Sequence, residues 1–266
     1  MQTLEEKIEY SIGLIKKYED DAIRLNGGYT VCFSGGKDSQ VMLDLFSKAG
    51  VKYKAVYNVT TNDPPENVYF IRDKYPDVEF QFPKKTFLQL IEYKKCLPHP
   101  KRRFCCEYLK EYYGKGICAV GVRREESSKR AEYQTIVFAK KGERRAYSVG
   151  GGQKGRSKVL FYPILEWTEQ EVWQYIDENN IPINPCYEDS GRVGCMFCPY
   201  KNRIQLIYMA KRYPRYYRLI LRTIQRLIDN GYMNEFAPVT AEQVFEWWAS
   251  HEPAKRFFTQ LKLDFD

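Results

Sequence analysis

The stretch TVCFSGGKDSQVML, residues 30–43, constrains this chain more than any other. An apolar run breaks into Ser34-Gly35-Gly36-Lys37-Asp38-Ser39 and resumes as an apolar helix carrying Val41, Met42, Leu45 and Phe46. A glycine-rich turn from strand into helix aims backbone N–H groups and the positive helix end at an anion. Lys37 adds a point charge, and Ser34 and Ser39 add hydroxyl donors. Spacing excludes two other phosphate loops. A Walker A motif needs glycine where Val31 stands and Ser or Thr where Asp38 stands; the dinucleotide fingerprint needs three spaced glycines. The agreement of motif and setting argues against an ordinary strand-to-helix turn.

Strand and helix signals alternate around the loop. Leu4, Ile8, Ile12, Ile15, Ala22 and Ile23 fall at helical spacing, predicting one helix closed by Asn26-Gly27-Gly28. The runs YTVCF, KYKAVYNV, VEFQF and ICAVG read as strands separated by helical segments, one entered through Asp63-Pro64-Pro65-Glu66. Strands spaced in this way predict an α/β fold: a parallel twisted sheet with helices on both faces. VGGGQKGRSK, residues 149–158, reads as a flexible, solvated loop. From about residue 201 only helical signals remain. Trp167 and Trp173 read as core anchors.

The formal net charge of +8 favours polyanionic ligands. No run of 18 apolar residues appears and the N-terminus lacks a signal-peptide stretch, so a soluble, cytoplasmic protein without membrane association is expected. In such a chain the eight cysteines point to metal or catalysis rather than a disulfide framework. Cys32 and Cys118 sit in strand-like runs and read as buried small hydrophobes. Cys105-Cys106 and Cys195-x-x-Cys198 are clustered. Their four thiolates could bind zinc or a [4Fe–4S] cluster. An adjacent pair points its side chains apart, which suits the larger cluster better than one ion. Lys101, Arg102, Arg103, Lys110 and Lys201 would favour thiolates there. Cys96 and Cys186 leave an altered ligand set open.

Arg123, Arg124, Ser128 and Arg130 follow an apolar strand, where open α/β sheets place ligand contacts. Arginines there could hold phosphate or sulfate oxygens bidentately; the alternative is a solvated helix start with internal Glu–Arg pairs. Thr60, Thr61 and Asp63 follow another strand and could face a nucleotide or simply cap the next helix.

SGGKDS in this setting resembles the PP-loop of the adenine nucleotide α-hydrolase-like superfamily. GVRREESSKRA (residues 121–131) and YPILEWTEQEVWQYIDENNIPINPCY (residues 162–187) resemble segments of its phosphoadenylylsulfate and adenylylsulfate reductase branch. FCCEYLK and GCMFCPYK resemble the paired-cysteine elements of members that carry an iron–sulfur cluster. The likeness covers roughly residues 29–200 and implies a PP-loop nucleotide-binding domain over residues 1–200, with a helical, basic extension over 201–266. It implies nucleotide contacts from Ser34, Gly35, Gly36, Lys37, Asp38, Ser39, Thr60, Thr61, Gly121, Arg123, Arg124, Ser128 and Arg130. It further implies catalytic roles for Lys37 and Asp38, the latter with Mg²⁺, and a [4Fe–4S] cluster on Cys105, Cys106, Cys195 and Cys198.

The reductases of that branch carry a catalytic cysteine near their C-terminus, whose thiosulfonate a thioredoxin-like partner resolves. No cysteine follows Cys198 in this sequence. Residues 201–228 instead hold eight basic residues and no acidic one, several beside tyrosines in KRYPRYYRLILR. Such a segment could contact a nucleic-acid backbone, or be two amphipathic helices with solvated arginines. Three functions follow: ATP cleavage to pyrophosphate with sulfur transfer to an acceptor, aided by a sulfur donor; reduction of a sulfonucleotide to sulfite; or nucleotide or cluster sensing in a modification complex. His99 and His251 leave little room for histidine acid–base work.

Overall fold

The computed structural model describes residues 2–111, 114–138, 158–233 and 238–263. The chain forms two compact units. The first comprises Met1–Val59, Asp63–Phe82 and Glu107–Val193; the second comprises Thr60–Asn62, Pro83–Cys106 and Gly194–Asp266. The sequence placed a boundary near residue 200; these units divide the chain at other points, because both cysteine pairs group with the C-terminal helices. Among the described residues no helix is long and apolar enough to cross a membrane.

The first unit opens with α1 (Leu4–Lys17), started by a capping box between Thr3 and Glu6. The single helix expected up to Asn26 is two. Tyr18 (φ −104°, ψ 12°) leaves helical geometry, and α2 (Glu19–Asn26) follows. Strands β1 (Tyr29–Phe33), β2 (Tyr53–Asn58), β3 (Glu79–Gln81), β4 (Gly116–Val120), β5 (Ile136–Phe138) and β6 (Lys158–Phe161) form one sheet of order β3-β2-β1-β4-β6-β5. Five strands run parallel, as the alternating pattern requires. The three-residue edge strand β5 pairs antiparallel with β6, a departure from the all-parallel expectation. Most of the loop predicted over 149–158 lies outside the described residues; Lys158 begins β6.

Alternation along β1 turns Tyr29, Val31 and Phe33 into the main core, with Ala55 and Tyr57 of β2 and Ile117 and Ala119 of β4. Against them pack Ile15 of α1, Val41, Met42, Leu45 and Phe46 of α3 (Lys37–Ala49), and Val172 and Tyr175 of α8 (Glu169–Glu178). Trp167 is a core anchor as expected, its indole N–H donating to Ser11 Oγ at 3.1 Å. Cys118 is fully buried, whereas Cys32 is only half-buried. The remaining helices of this unit are α4 (Pro65–Lys74), the one-turn α7 (Ser128–Ala131) and α9 (Cys186–Ser190). The strand order reverses at β1, with β2 on one side and β4 on the other. The carboxyl ends of β1 and β4 therefore flank the crevice where open α/β sheets hold ligands.

The second unit is helical: α5 (Phe87–Lys94), α6 (Phe104–Cys106), α10 (Arg203–Arg212), α11 (Pro214–Asp229), α12 (Ala241–Ser250) and α13 (Ala254–Leu263). After α6 the chain continues as a π-helical turn, Glu107–Glu111. Leu206, Ile220, Ile224, Leu227, Val244, Phe245 and Trp248 are buried, at helical spacing along their elements. Phe197 stacks with Tyr216 at 5.8 Å and Tyr217 at 6.4 Å, and Phe245 closes on Tyr217 at 4.8 Å. The C-terminal helices expected after residue 201 are thus present.

Candidate nucleotide site and cysteine quartet

The loop Ser34–Gly36 leaves the end of β1 and enters α3, and its shape is fixed from within. Gly35 takes φ +75°, and a Cβ there would stand 2.4 Å from Asn67 Oδ1. Only glycine meets both demands. Ser39 staples the turn: its hydroxyl donates to Gly36 O at 2.8 Å and accepts the Ser34 N–H at 3.1 Å. Ser39 is buried, and its hydroxyl also contacts Ser34 Oγ at 3.1 Å.

Two buried asparagines brace the loop from outside. Asn184, fully buried, donates from Nδ2 to Gly35 O at 2.9 Å and to Asn67 Oδ1 at 2.7 Å. Asn67 Nδ2 in turn donates to Ser34 O at 3.3 Å. At the start of α3 the Lys37 N–H donates to the Tyr187 hydroxyl at 2.8 Å. Burial pushes the Tyr187 phenol above its ordinary value.

The charges around this loop form a closed set. Lys37 Nζ lies 3.4 Å from Asp38 Oδ2 and 3.3 Å from Glu169 Oε1. Arg123 Nε donates to Asp38 Oδ1 at 2.6 Å, and its other arm pairs with Glu125. Glu125 also accepts the backbone N–H of Glu169. Two cations thus meet three carboxylates. The Arg123 side chain is 3% exposed and Lys37 12%. Burial disfavours the Lys37 ammonium, but Asp38, Tyr187 and Glu169 outweigh it and hold the group above its ordinary value. Lys37 conversely holds the Glu169 carboxyl below its ordinary value. Trp173, expected to be a core anchor, is half-buried beside the lysine, with Nζ 5.9 Å from its ring.

Gly121 explains how β4 reaches this set. A Cβ there would lie 2.8 Å from Asp38 O and 3.1 Å from Ser39 N, so any side chain would push the strand end off the loop. The structure therefore brings together Ser34, Gly35, Gly36, Lys37, Asp38, Ser39, Gly121 and Arg123. Arg124 instead donates to Glu166 and to Ala131 O, each at 2.6 Å, and Arg130 pairs with Glu126. Ser128 is exposed. Its neighbour Ser127 is the N-cap of α7, accepting the Arg130 N–H at 3.3 Å. Thr60 and Thr61 fall in the second unit.

The four clustered cysteines also belong to that unit. Asn62 shapes the Cys195–Cys198 turn: it donates to Phe197 O at 3.0 Å, accepts Phe197 N–H at 3.1 Å, and its carbonyl accepts Met196 N–H at 2.7 Å. Thr60 Oγ1 lies 3.6 Å from Cys195 Sγ, and Arg103 Nη1 reaches Cys106 Sγ at 3.8 Å. The Cys106 contact and burial push the Cys105 thiol well up, and Cys195 and Cys198 are near enough to add to the rise. Among the described residues no three His, Cys, Asp or Glu side chains are grouped to hold a single ion. The four thiols share one neighbourhood, with Cys106, Cys195 and Cys198 all acting on Cys105. Cys186 lies in the first unit, its N–H bonded to Asn184 Oδ1, and Cys96 in the second. His99 is exposed, with its ring 6.3 Å from that of His251; burial, His251 and Lys101 together lower its pKa.

Residues 28–201 match the phosphoadenosine phosphosulfate reductase domain family. The chain belongs to that family. The uncharacterized protein MJ0973 of Methanocaldococcus jannaschii is 28% identical over 83% of this chain and 54% of its own length. The adenosine 5′-phosphosulfate reductase of Lysinibacillus sphaericus is 25% identical over 62% of this chain and 70% of its own. The chain thus spans about half of the archaeal relative. Among solved structures, Candida glabrata FMN adenylyltransferase with FAD and inorganic pyrophosphate aligns over 72% of this chain and 63% of its own, with 16% identity and a TM-score of 0.50. It shares the fold. Family membership places the chain among PP-loop nucleotide-binding proteins.

Four loop partners were not legible as such in the sequence: Asn67, Glu169, Tyr187 and Asn184. The last two stand in the family-like segment IPINPCY, where Asn-Pro carried the resemblance but gave no hint of Gly35. Of the adjacent serines, Ser127 and not Ser128 is the one the fold uses, as the cap of α7.

Proposed function

We propose that this family member binds ATP at the Ser34–Ser39 loop and cleaves it between the α- and β-phosphates, transferring the adenylyl group to an acceptor that is then thiolated. An acceptor oxygen bonds to the α-phosphorus, and the α–β bridging bond breaks. Pyrophosphate leaves with the electron pair; sulfide-level sulfur from a donor then bonds to the acceptor carbon and the adenylated oxygen leaves with AMP. The observation that carries the reading is the Lys37–Asp38–Arg123 set at the head of α3, beside a loop whose backbone is locked by Asn67, Asn184 and Ser39. The Lys37 ammonium, at the positive end of α3, stabilises charge building on the leaving pyrophosphate. Arg123 is positioned by Asp38 and Glu125 to bind a phosphate oxygen as these carboxylates give way. Asp38, whose oxygens contact Lys37 and Arg123, is the carboxylate that would face Mg²⁺, and no step is assigned to that ion.

The thiols of Cys105, Cys106, Cys195 and Cys198 would hold a [4Fe–4S] cluster, which when bound supplies an anionic centre that binds or delivers sulfur. Arg103 beside Cys106 supports that charge. A separate sulfur donor is the partner this reading requires.

A second reading, reduction of adenylylsulfate or phosphoadenylylsulfate to sulfite, is favoured by the named activity of the bacterial relatives. In that reading a cysteine nucleophile would take the sulfur and pass its thiosulfonate to a thioredoxin-like partner; the paired charges at the head of α3 favour the ATP reading. Anaerobically purified protein incubated with ATP, or with either sulfonucleotide plus a thiol reductant, separates the two. Pyrophosphate from ATP supports the first reading; sulfite from a sulfonucleotide overturns it.

A further inference from the structure

The second unit carries a line of charge that the nucleotide chemistry does not use. Helix α11 buries Ile220, Thr223, Ile224 and Leu227 on one face. Arg215, Arg218 and Arg222 project from the other at i, i+3 and i+7, all exposed. None has an ion pair or hydrogen bond among the described residues. The line ends at Arg226, which is paired with Glu92 at 2.5 Å. The nearest acids of α12, Glu242 and Glu246, act on Tyr217, a residue outside this exposed line, and Glu246 is also bound to Arg203. Residues 201–228 contain no Asp or Glu.

The geometry points to α11 as a docking surface for a single-stranded nucleic acid. From Arg215 to Arg218 the helix rises about 4.5 Å and from Arg218 to Arg222 about 6 Å, intervals that long, flexible arginine side chains can match to successive phosphates of an extended, adaptable single strand. The three guanidinium groups can contact phosphates along such a strand or stack on its exposed bases. Leu219, 43% exposed, stands among them and offers an apolar contact that a base or ribose can cover. An acidic protein segment would meet the charges but brings no base faces to cover Leu219 and the guanidinium planes, and polyglutamate tests it below. Unpaired bases are required because a duplex hides the base faces that Leu219 and the guanidinium planes would contact. The surface's role in presenting the acceptor rests on the transfer reaction proposed above; the binding does not.

The test uses the full chain without ATP. Binding of a fluorescein-labelled single-stranded RNA of about 20 nucleotides is followed by anisotropy across KCl concentrations. Three phosphate contacts at a slope of about 0.7 each weaken wild-type binding about 20-fold between about 50 and 200 mM salt. Arg215→Gln/Arg218→Gln/Arg222→Gln is expected to lower that slope by about 2 and to weaken low-salt binding at least ~10-fold. A control with the same change in net charge, Lys16→Gln/Lys17→Gln/Lys52→Gln, should keep the wild-type slope. Thermal melting confirms that both variants remain folded.

The proposal is overturned by absent wild-type binding at low salt, by equal slopes in wild type and the arginine variant, or by equal losses in the control. Equal competition by duplex DNA, polyglutamate or anionic vesicles also overturns it, since each would make α11 a general polyanion surface. RNA binding without any ATP cleavage would leave the docking surface standing and remove only its acceptor role.

Discussion

The two units hold positive charge in opposite ways. In the first, Lys37 and Arg123 are nearly sealed from water, and each lies between two carboxylates. In the second, Arg215, Arg218 and Arg222 stand in solvent with no partner among the described residues. Sealed, paired charges are held in one geometry and are little screened by salt, which suits gripping one phosphate at one point. Exposed charges act through a field that salt weakens, which suits a backbone that can shift along them. The contrast separates a site that reads position from a surface that reads charge.

The sharpest way to break this contrast is at Lys37. Lys37→Ala removes the ammonium that faces developing charge and is expected to slow pyrophosphate release about 10²–10³-fold. A loss of only a few-fold, measured by a coupled pyrophosphate assay, would place the phosphate elsewhere. Next in size is the loop's rigidity. Gly35→Ala combines a left-handed φ with a contact inside van der Waals range of Asn67, and should cost about 3 kcal/mol in urea unfolding. A neutral result would show that the loop is not locked. Asn184→Ala leaves Gly35 O and the Cys186 N–H without their partner and should cost about 2 kcal/mol by the same measurement.

The smallest effect concerns the gate on Lys37. Glu169→Gln should alter stability near neutral pH by less than about 1 kcal/mol, because the carboxylate is 60% exposed and screened. The sign can be followed with pH. The folded state holds Glu169 below its ordinary value of 4.5, so its contribution is complete above that value and lost as pH falls through the lowered one. Wild type and Glu169→Gln should therefore converge in acid. The variant should also bind nucleotide several-fold more tightly, because a competing carboxylate is gone; weaker binding would make Glu169 a ligand contact instead.

How much of this was legible in the sequence follows the range of each interaction. The SGGKDS loop, its strand and its helix are contiguous, so local pattern was enough to find them. Asn67, Glu169 and Asn184 reach the loop across 33 to 149 residues of chain, and no periodicity marks them. The cysteine pairs stood out by spacing, but Asn62, which pins the turn carrying the second pair, looked like any polar residue before Asp63. Thr60 and Thr61 lie just past a strand end, the usual address of a ligand contact; their packing with Cys195 and α5 in the other unit depends on tertiary folding. The break at Tyr18 was hidden because Ile15 of α1 and Ala22 of α2, seven residues apart, are both buried, so helical spacing runs on through it; Ile23, which shares that spacing, is exposed. Strand β5 is too short, at three residues, to show an alternating pattern.

Calorimetric titration of ATP into wild-type protein and Lys37→Ala tests the central claim most directly. ATP should titrate a saturable site in the wild type that weakens at least ~10-fold in the variant. Equal ATP affinity in the two proteins, or no ATP binding by a wild type that binds adenylylsulfate, would contradict it.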